Sequence, residues 1–451
     1  MHRGADSRVR DSHAGRDFSR RPLRRWSTLA LSLGAVALVA AACSSSTPTA
    51  AKKKAQTTSS TTTTSTASAA PTTTTTATAA PAAPTTTAPP AAHTATATPA
   101  KVTSSTCSTS GGPLSATCDT QSPSFKASGA GANSIQPFFT RVFYYYSQAD
   151  KGVSVNYSPA GSSVGVTDIE QNTVNFGDSE IPVKTPASGT AGNILQVPVD
   201  LGGVAISYNL PGVAGGLKLD GPTLAGIYLG KITKWNDSSI AALNPGMSLP
   251  STTIVPVRRA DSSGPGYDLD QYLIDTGGST WTSSAAGTAA STKWPITNIG
   301  VGEQLNTGVA GFIQQTPGAI GYVEYAYSLQ ASFTNAALKN AAGSFVKPSQ
   351  SSIAAAGSQA SALSATNFNI VNGGGASTYP LANFSWTLLY QKQSNTTQGV
   401  VLGKLFDWVT TTGQQQANAL GYSPLPANVV ALAHQTLLTL ENSAGKPLFT
   451  S

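Results

Sequence analysis

Four short stretches carry side chains that could do chemistry together. "RRADSSGPGYD", Arg258 to Asp268, holds two arginines, acids, serines and glycines immediately ahead of an apolar, helix-spaced run. "GSSVG" (161–165) joins a strand-like segment to a helical one and offers serine hydroxyls. "FGDSE" (176–180) closes a strand-like segment with two carboxylates, Asp178 and Glu180. "GAGANS" (129–134) is a glycine-rich turn before "IQPFFTRVFYYY". Each is weak alone: a Gly-Ser turn is ordinarily a turn, and a charged loop is ordinarily solvated. Together they supply hydroxyl and backbone donors, an arginine with an acidic neighbour, and one carboxylate acceptor. That inventory suits a dehydrated oxyanion, since helix N-termini and arginine both favour one.

The same residues argue against hydrolysis. A phosphatase needs a nucleophile with a base, or metal ligands. The four histidines are His2, His13, His93 and His434; three precede the folded part, and the last lies on the terminal helix. Ser162 and Ser263 have no evident base. The expectation is a binding protein, not an enzyme, with no cofactor and no metal. An extracellular phosphatase is the weakest alternative. Binding or sensing of another oxyanion is the stronger one.

The elements that must position these groups read as α/β. "VSVNYS" (153–158) is strand-like, and "VGVTDIEQNT" (164–173) is helical. "LQVPVDLGGVAISYN" (195–209) reads as two strand segments with a glycine break. "TIVPVRRA" (253–260) is a strand running into the arginine loop. "GAIGYVEYAYS" (318–328) and "FSWTLLYQ" (384–391) are strand-like, and a last helix is expected near 428–441. Strands alternating with helical patterns predict a mostly parallel sheet, with ligands where strands end and helices begin. The stretch 330–378 gives no functional signal.

Composition divides the chain. Residues 1–43 read as a leader: eight arginines, then an apolar run from Trp26 to Ala42, ending at Cys43. "SRRPLRRW" fits a twin-arginine signal or plain clustered basic residues. "LVAAAC" fits a lipobox with Cys43 lipidated, although Ala40 stands where such boxes usually carry Leu. Ordinary cleavage or an uncleaved anchor are the other readings. Residues 44–122, rich in Thr, Ala, Ser and Pro, cannot bury a core and are expected to be a disordered tether. Cys107 and Cys118 fit a short-loop disulfide outside the cytoplasm, or two free thiols. The chain is formally +7, but residues 123–451 carry 15 basic against 16 acidic residues. The basic excess belongs to leader and tether, so no nucleic-acid partner is implied.

Residues 123–451 resemble the PstS-type phosphate-binding proteins of bacterial ABC phosphate importers. "VNYSPAGSSVGV", "LDGPTLAGIYLGKITKWNDSSIAALNPG", "VPVRRADSSG", "TPGAIGYVEYAYS" and "LFDWVTTTGQQQANALGYSPLP" carry the resemblance. It implies a two-lobed type II periplasmic-binding-protein (Venus flytrap) fold with two inter-lobe crossovers behind the tether. Lobe I would be 123–200 and 381–451, and lobe II 201–380. It implies inorganic phosphate as ligand, ABC transporter permease subunits as partners, and an extracytoplasmic position held at the membrane through a lipid anchor.

Carried over residue by residue, the resemblance places phosphate on Asn133, Ser134, Ser162, Glu180, Arg259, Ser263 and Gly264. Asp261 would orient Arg259, while Asp178 and Pro265 have less defined parts. This chain departs from the family pattern at the site. Asn133 and Pro265 stand where the family has Thr, Glu180 where it has Asp, Ser134 where it has Phe, and Val164 where it has Gly. Pro265 removes a hydroxyl and a backbone donor, yet proline is comfortable in a first helical turn.

Overall fold

The computed structural model describes residues 122–449 except 182, 184–192, 214, 361–362 and 365–368. The leader, the tether up to residue 121, and Cys43, Cys107 and Cys118 lie outside the described residues.

The chain opens with two strand–helix turns: β1 (Phe125–Gly131), α1 (Gln136–Ala149), β2 (Val153–Ser158), α2 (Ser162–Glu170) and β3 (Phe176–Ser179). β4 (Ile194–Tyr208) follows, then β5 (Lys218–Leu219), α3 (Gly221–Tyr228) and α4 (Ser238–Leu243). The next group is β6 (Val255–Arg259), α5 (Gly264–Thr276), α6 (Ser279–Thr282), β7 (Val301–Glu303), α7 (Leu305–Gln315), β8 (Ala319–Glu324) and α8 (Tyr325–Gln330). The 330–378 stretch adds β9 (Thr334–Asn335), β10 (Ala337–Lys339), β11 (Phe345–Val346) and α9 (Gln350–Ser358). β12 (Ala382–Tyr390) leads to β13 (Lys392–Gln393), α10 (Thr396–Thr410), α11 (Ala417–Leu420), α12 (Ala427–Leu437) and β14 (Glu441–Asn442).

One sheet carries the order β2-β1-β3-β12-β4-β8-β6-β7. It is mixed, not mostly parallel. β1 runs parallel to β2 and β3, and β6 parallel to β7 and β8. In the middle β12 is antiparallel to β3 and β4, and β4 antiparallel to β8. The two long central strands run in opposite directions, so each flank can be wound in parallel βαβ fashion while the centre cannot.

β4 does not break at its glycines. Gly202 and Gly203 stay paired with Asn383 and Ala382 of β12. The ladder carries the strand through, and the absent Cβ atoms admit neighbouring side chains: a Cβ on Gly202 would meet Glu324 Oε1 and Asn383 Oδ1. "GAIGYVEYAYS" splits into β8 and α8 at Glu324/Tyr325, and the last helix ends at Leu437 rather than near 441.

Two main cores form. One gathers Phe125 to Val199 with Leu389 to Leu440 and Ala326; the other gathers Leu201 to Trp386 with Leu425 and Val429. β4 gives Val197 and Val199 to the first and Leu201, Val204 and Ile206 to the second. β12 gives Phe384 and Trp386 to the second and Leu389 to the first. Both strands therefore pass from one core to the other.

α1 shows how sequence places a site element. Pro137 in its first turn suits a helix start. Phe138, Phe139, Val142, Phe143 and Tyr146 recur at helical spacing and are all buried. Phe139 packs its ring on Phe143, Tyr157, Phe176 and Phe406. That cluster fixes the height of α1 and hence of the turn preceding it. Phe139→Ala is expected to cost about 3–5 kcal/mol, read from chemical denaturation; a loss below about 1 kcal/mol would show that α1 is held by something else.

Candidate functional site

The C-terminal end of β1, the loop after β2, the end of β3 and the loop after β6 meet at one place. Ala132 N–H donates to the Asp178 carbonyl (3.1 Å), and Gly161 N–H donates to the Gly131 carbonyl (2.8 Å). Gly161 has φ 106°, a left-handed conformation that glycine tolerates, and it turns the chain into α2. A Cβ there would lie 2.8 Å from the Ser262 carbonyl and 3.4 Å from Asp261 Oδ2. A Cβ on Gly264 would collide with the Glu180 carboxylate. The loops before α1, α2 and α5 are thus in contact, which brings three helix N-termini together. The starts of α1 and α2 have no side-chain cap, so their first N–H groups have no side-chain partner from the N-cap.

Arg259 is buried at 2 % exposure. Its Nε donates to Asp261 Oδ1 at 2.7 Å, and Nη2 pairs with Asp261 Oδ2. Nη1 is buried with no partner. Asp261 also accepts from Leu305 N–H at the start of α7 (3.0 Å), which fixes the carboxylate that fixes the guanidinium. Arg259 N–H donates to Tyr322 Oη (2.9 Å). Asp261 therefore holds one edge of the fork and leaves the other for an anion.

Glu180 is buried beside it. Oε1 accepts from Asn383 Nδ2 (3.2 Å), whereas Oε2 is buried without a hydrogen bond. Burial pushes its carboxyl up to about 7; the Ser134 hydroxyl, the Arg259 charge, Asn383 and Ser162 oppose that rise. The Ser134 Oγ forms no full hydrogen bond of its own. Ser162, 1 % exposed, accepts weakly from Glu180 N–H (3.4 Å) and keeps its own proton to give. Ser263 Oγ caps α5 by accepting from Gly266 N–H (3.1 Å), which leaves its hydroxyl proton free. Its backbone N–H is spent on the Thr292 carbonyl (2.9 Å). Pro265 sits in the first turn of α5 and can donate nothing.

Asn133 departs from the expectation as a side-chain ligand. Its Nδ2 donates to Gln136 Oε1 and Tyr327 Oη, both at 3.1 Å, and its Oδ1 accepts from Asn306 N–H (2.8 Å). The longer amide reaches past the turn to neighbours that consume it. Asp178 faces the sheet instead: its carboxyl accepts from the Ser385 hydroxyl (2.6 Å) and, at 3.4 Å, from Thr387.

Three contributors were not legible in the sequence. Asn383 bridges Glu180 and Asp268. Asn306, wholly buried, keeps Nδ2 without a partner. Tyr327 Oη donates to the Asn133 carbonyl (2.9 Å). The one available signal was a polar Asn inside the apolar run "PLANFSWTLLY".

Buried carboxyls crowd around the site. Burial drives Asp178, Asp268 and Glu324 well above the ordinary range, and Asp200 to about 8. Asp200 accepts from Ser385 N–H (3.2 Å) and Glu324 from Gly203 N–H (2.8 Å). Among the described residues no cluster of His, Cys, Asp and Glu could hold a metal ion. The arrangement offers one half-paired guanidinium, hydroxyls, helix N-termini and one acceptor oxygen: donors for a tetrahedral oxyanion, with one place reserved for a proton the anion carries.

A family profile described as a PBP superfamily domain matches residues 44–412. A phosphate-binding protein PstS of Xylella fastidiosa is 40 % identical over 313 residues, covering 69 % of this chain and 84 % of that protein. The chain belongs to the PstS family of phosphate-binding proteins. A PstS of Pasteurella multocida is 37 % identical over 325 residues, covering 71 % of this chain and 92 % of its own. In fold, a phosphate-binding protein structure from Stenotrophomonas maltophilia matches with TM-score 0.55 at 16 % identity, covering 69 % of this chain and 93 % of that one.

The raised carboxyls set the sign of a pH effect. Glu180 holds its proton in the folded chain up to about 7, while an unfolded chain releases it near 4.5. The folded state then binds more protons between those values, so stability falls as pH rises through that window. Asp200 extends the fall toward about 8. Melting of the ligand-free protein is expected to occur at a lower temperature at pH 8 than at pH 5, with a shallower drop in Glu180→Gln. A melting temperature that rises across this range would contradict the burial of these groups.

Proposed function

We propose that this protein captures inorganic phosphate outside the cytoplasm and delivers it to an ABC importer. The observation that carries this reading is that two buried polar atoms of the site, Arg259 Nη1 and Glu180 Oε2, have no hydrogen-bond partner, where the loops before α1, α2 and α5 meet. PstS membership supplies the class of ligand; these two atoms supply the chemistry. A cationic edge takes an ionised phosphate oxygen, and an acceptor takes a phosphate O–H. Near neutral pH sulfate has no proton to offer, so it would put a lone pair against Glu180. An acceptor left facing a lone pair costs enough to discriminate strongly.

The two lobes of this proposal are 123–200 with 381–451 and 201–380, joined through β4 and β12; most of each lobe packs in its own core, while Phe384, Trp386, Leu425 and Val429 of the first lobe pack in the second core. Phosphate, touching β1, α2 and β3 on one side and the β6–α5 loop on the other, would bind best when the lobes are together. Closure of such a cleft is a hinge motion, and the closed form is the species a permease would receive. The leader and Thr/Ala-rich tether fit a domain held at the membrane, with Cys43 as the lipidated residue and Cys107 and Cys118 as a disulfide near the start of the fold.

The phosphate ligands in this reading are Ser134, Ser162, Glu180, Arg259, Ser263 through its hydroxyl, and Gly264 through its N–H. Asn133 contributes through its backbone position rather than its amide, and Asp261 orients Arg259. Pro265 removes one donor at the α5 start, so Pro265→Thr is expected to tighten binding. Titration calorimetry on residues 122–451 is expected to show phosphate binding near neutral pH and little or none of sulfate. Arg259→Ala should lose about 2–5 kcal/mol of phosphate affinity, because the anion is left underpaired in a desolvated site. Equal affinity for the two anions, or an unchanged affinity in Arg259→Ala, would overturn this reading.

A further inference from the structure

Asn383 lies on β12, opposite Gly202 of β4. It is 5 % exposed. Its amide has two N–H bonds and uses both on carboxyl groups: Glu180 Oε1 at 3.2 Å and Asp268 Oδ2 at 2.8 Å. Its Oδ1 lies on the other side, against Gly202. The opposite orientation would set Oδ1 against two acceptor oxygens, so the amide's direction follows from its partners. Asp268 is 4 % exposed and sits on α5, one turn beyond Gly264. Asn383 therefore ties β3, β12 and the start of α5 together at one nitrogen.

We propose that Asn383 is the positioning and specificity-determining residue of this cleft, holding Glu180 so that Oε2, and only Oε2, meets the anion. The inference rests on the phosphate reading above. Its physical content is a proton rule. A donor already aimed at Oε1 excludes a proton from that side, so any proton Glu180 carries sits on Oε2, and when that proton leaves, Oε2 becomes the acceptor for phosphate O–H. Glutamate needs such a tether more than aspartate would, since it has one more side-chain torsion to fix. Without Asn383, Glu180 loses a hydrogen bond that favours its ionised form, so near neutral pH it keeps its proton more readily and meets the ligand as a donor. A donating carboxyl welcomes a fully ionised anion such as sulfate and loses its preference for a protonated one.

Titration calorimetry with inorganic phosphate and with sulfate, on the parent, Asn383→Ala and Asp268→Ala, tests this. Asp268→Ala removes the acceptor at the far end of the tether and reads the same property should Asn383→Ala not fold. Phosphate affinity is expected to fall about tenfold in Asn383→Ala, the scale of one lost hydrogen bond to a charged group, while sulfate affinity stays level or rises. Asp268→Ala should narrow the phosphate-to-sulfate ratio in the same direction by a smaller factor. A structural role alone would lower the melting temperature and weaken both anions together. A parent that binds phosphate, with the ratio unchanged in the folded variants, would overturn the inference on its own. A parent that does not bind phosphate would overturn the function reading beneath it.

Discussion

Arg259 is a guanidinium taken out of water with only one edge paired. Burying a charge is costly unless it is partnered, and the cost grows when a single pair must neutralise it. Asp261 meets that requirement for Nε and Nη2 and is itself held by the start of α7. What remains is Nη1, pointing nowhere in the protein. The rest of the fold can be understood as the framework that keeps this edge dry and aimed. Tyr322 holds the Arg259 backbone, and the loop before α2 packs on the Asp261–Ser262 segment.

The second half of the site is the inverse problem. Glu180 is a carboxyl in a place where burial disfavours ionisation; the Arg259 charge opposes that, while the buried acids Asp268 and Glu324 lie within reach of its charge. Asp178, Asp200 and Glu324 are each given polar partners by β12 or β4: Ser385, Thr387 and the Gly203 N–H. The register shift in β12 between Ser385 and Trp386 falls within this set. A bulge re-aims side chains where a regular ladder would not. The central strands thus hold the two cores together and also satisfy the acids beneath the cleft.

Much of this was legible in the residues. The arginine loop, its acidic orienter, the Ser162 turn and Glu180 stand at strand–helix junctions in the sequence, and the fold brings those junctions to one spot. Local spacing also announced α5, the apolar, helix-spaced run behind the arginine loop. What could not be read was long-range. Asn133 is expected to donate because it stands where the family has a ligand Thr; only the fold shows its amide consumed by Gln136, Tyr327 and Asn306. Asn383, one residue ahead of the strand-like 384–391, gave no signal of its part in the site, since its partners lie 203 and 115 residues away. The mixed sheet was hidden for the same reason: strand direction depends on which neighbours β4 and β12 find, and a glycine pair that reads as a break survives when its partner strand supplies the ladder.

The central claim is that one cation edge and one acceptor oxygen grip the same anion. A crystal structure grown with phosphate tests it most directly. The account predicts a phosphate with one oxygen on Arg259 Nη1 and another, the protonated one, at hydrogen-bond distance from Glu180 Oε2, with Asn383 still on Oε1. Phosphate bound away from Arg259, or Glu180 turned so that Oε2 faces the protein, would contradict it.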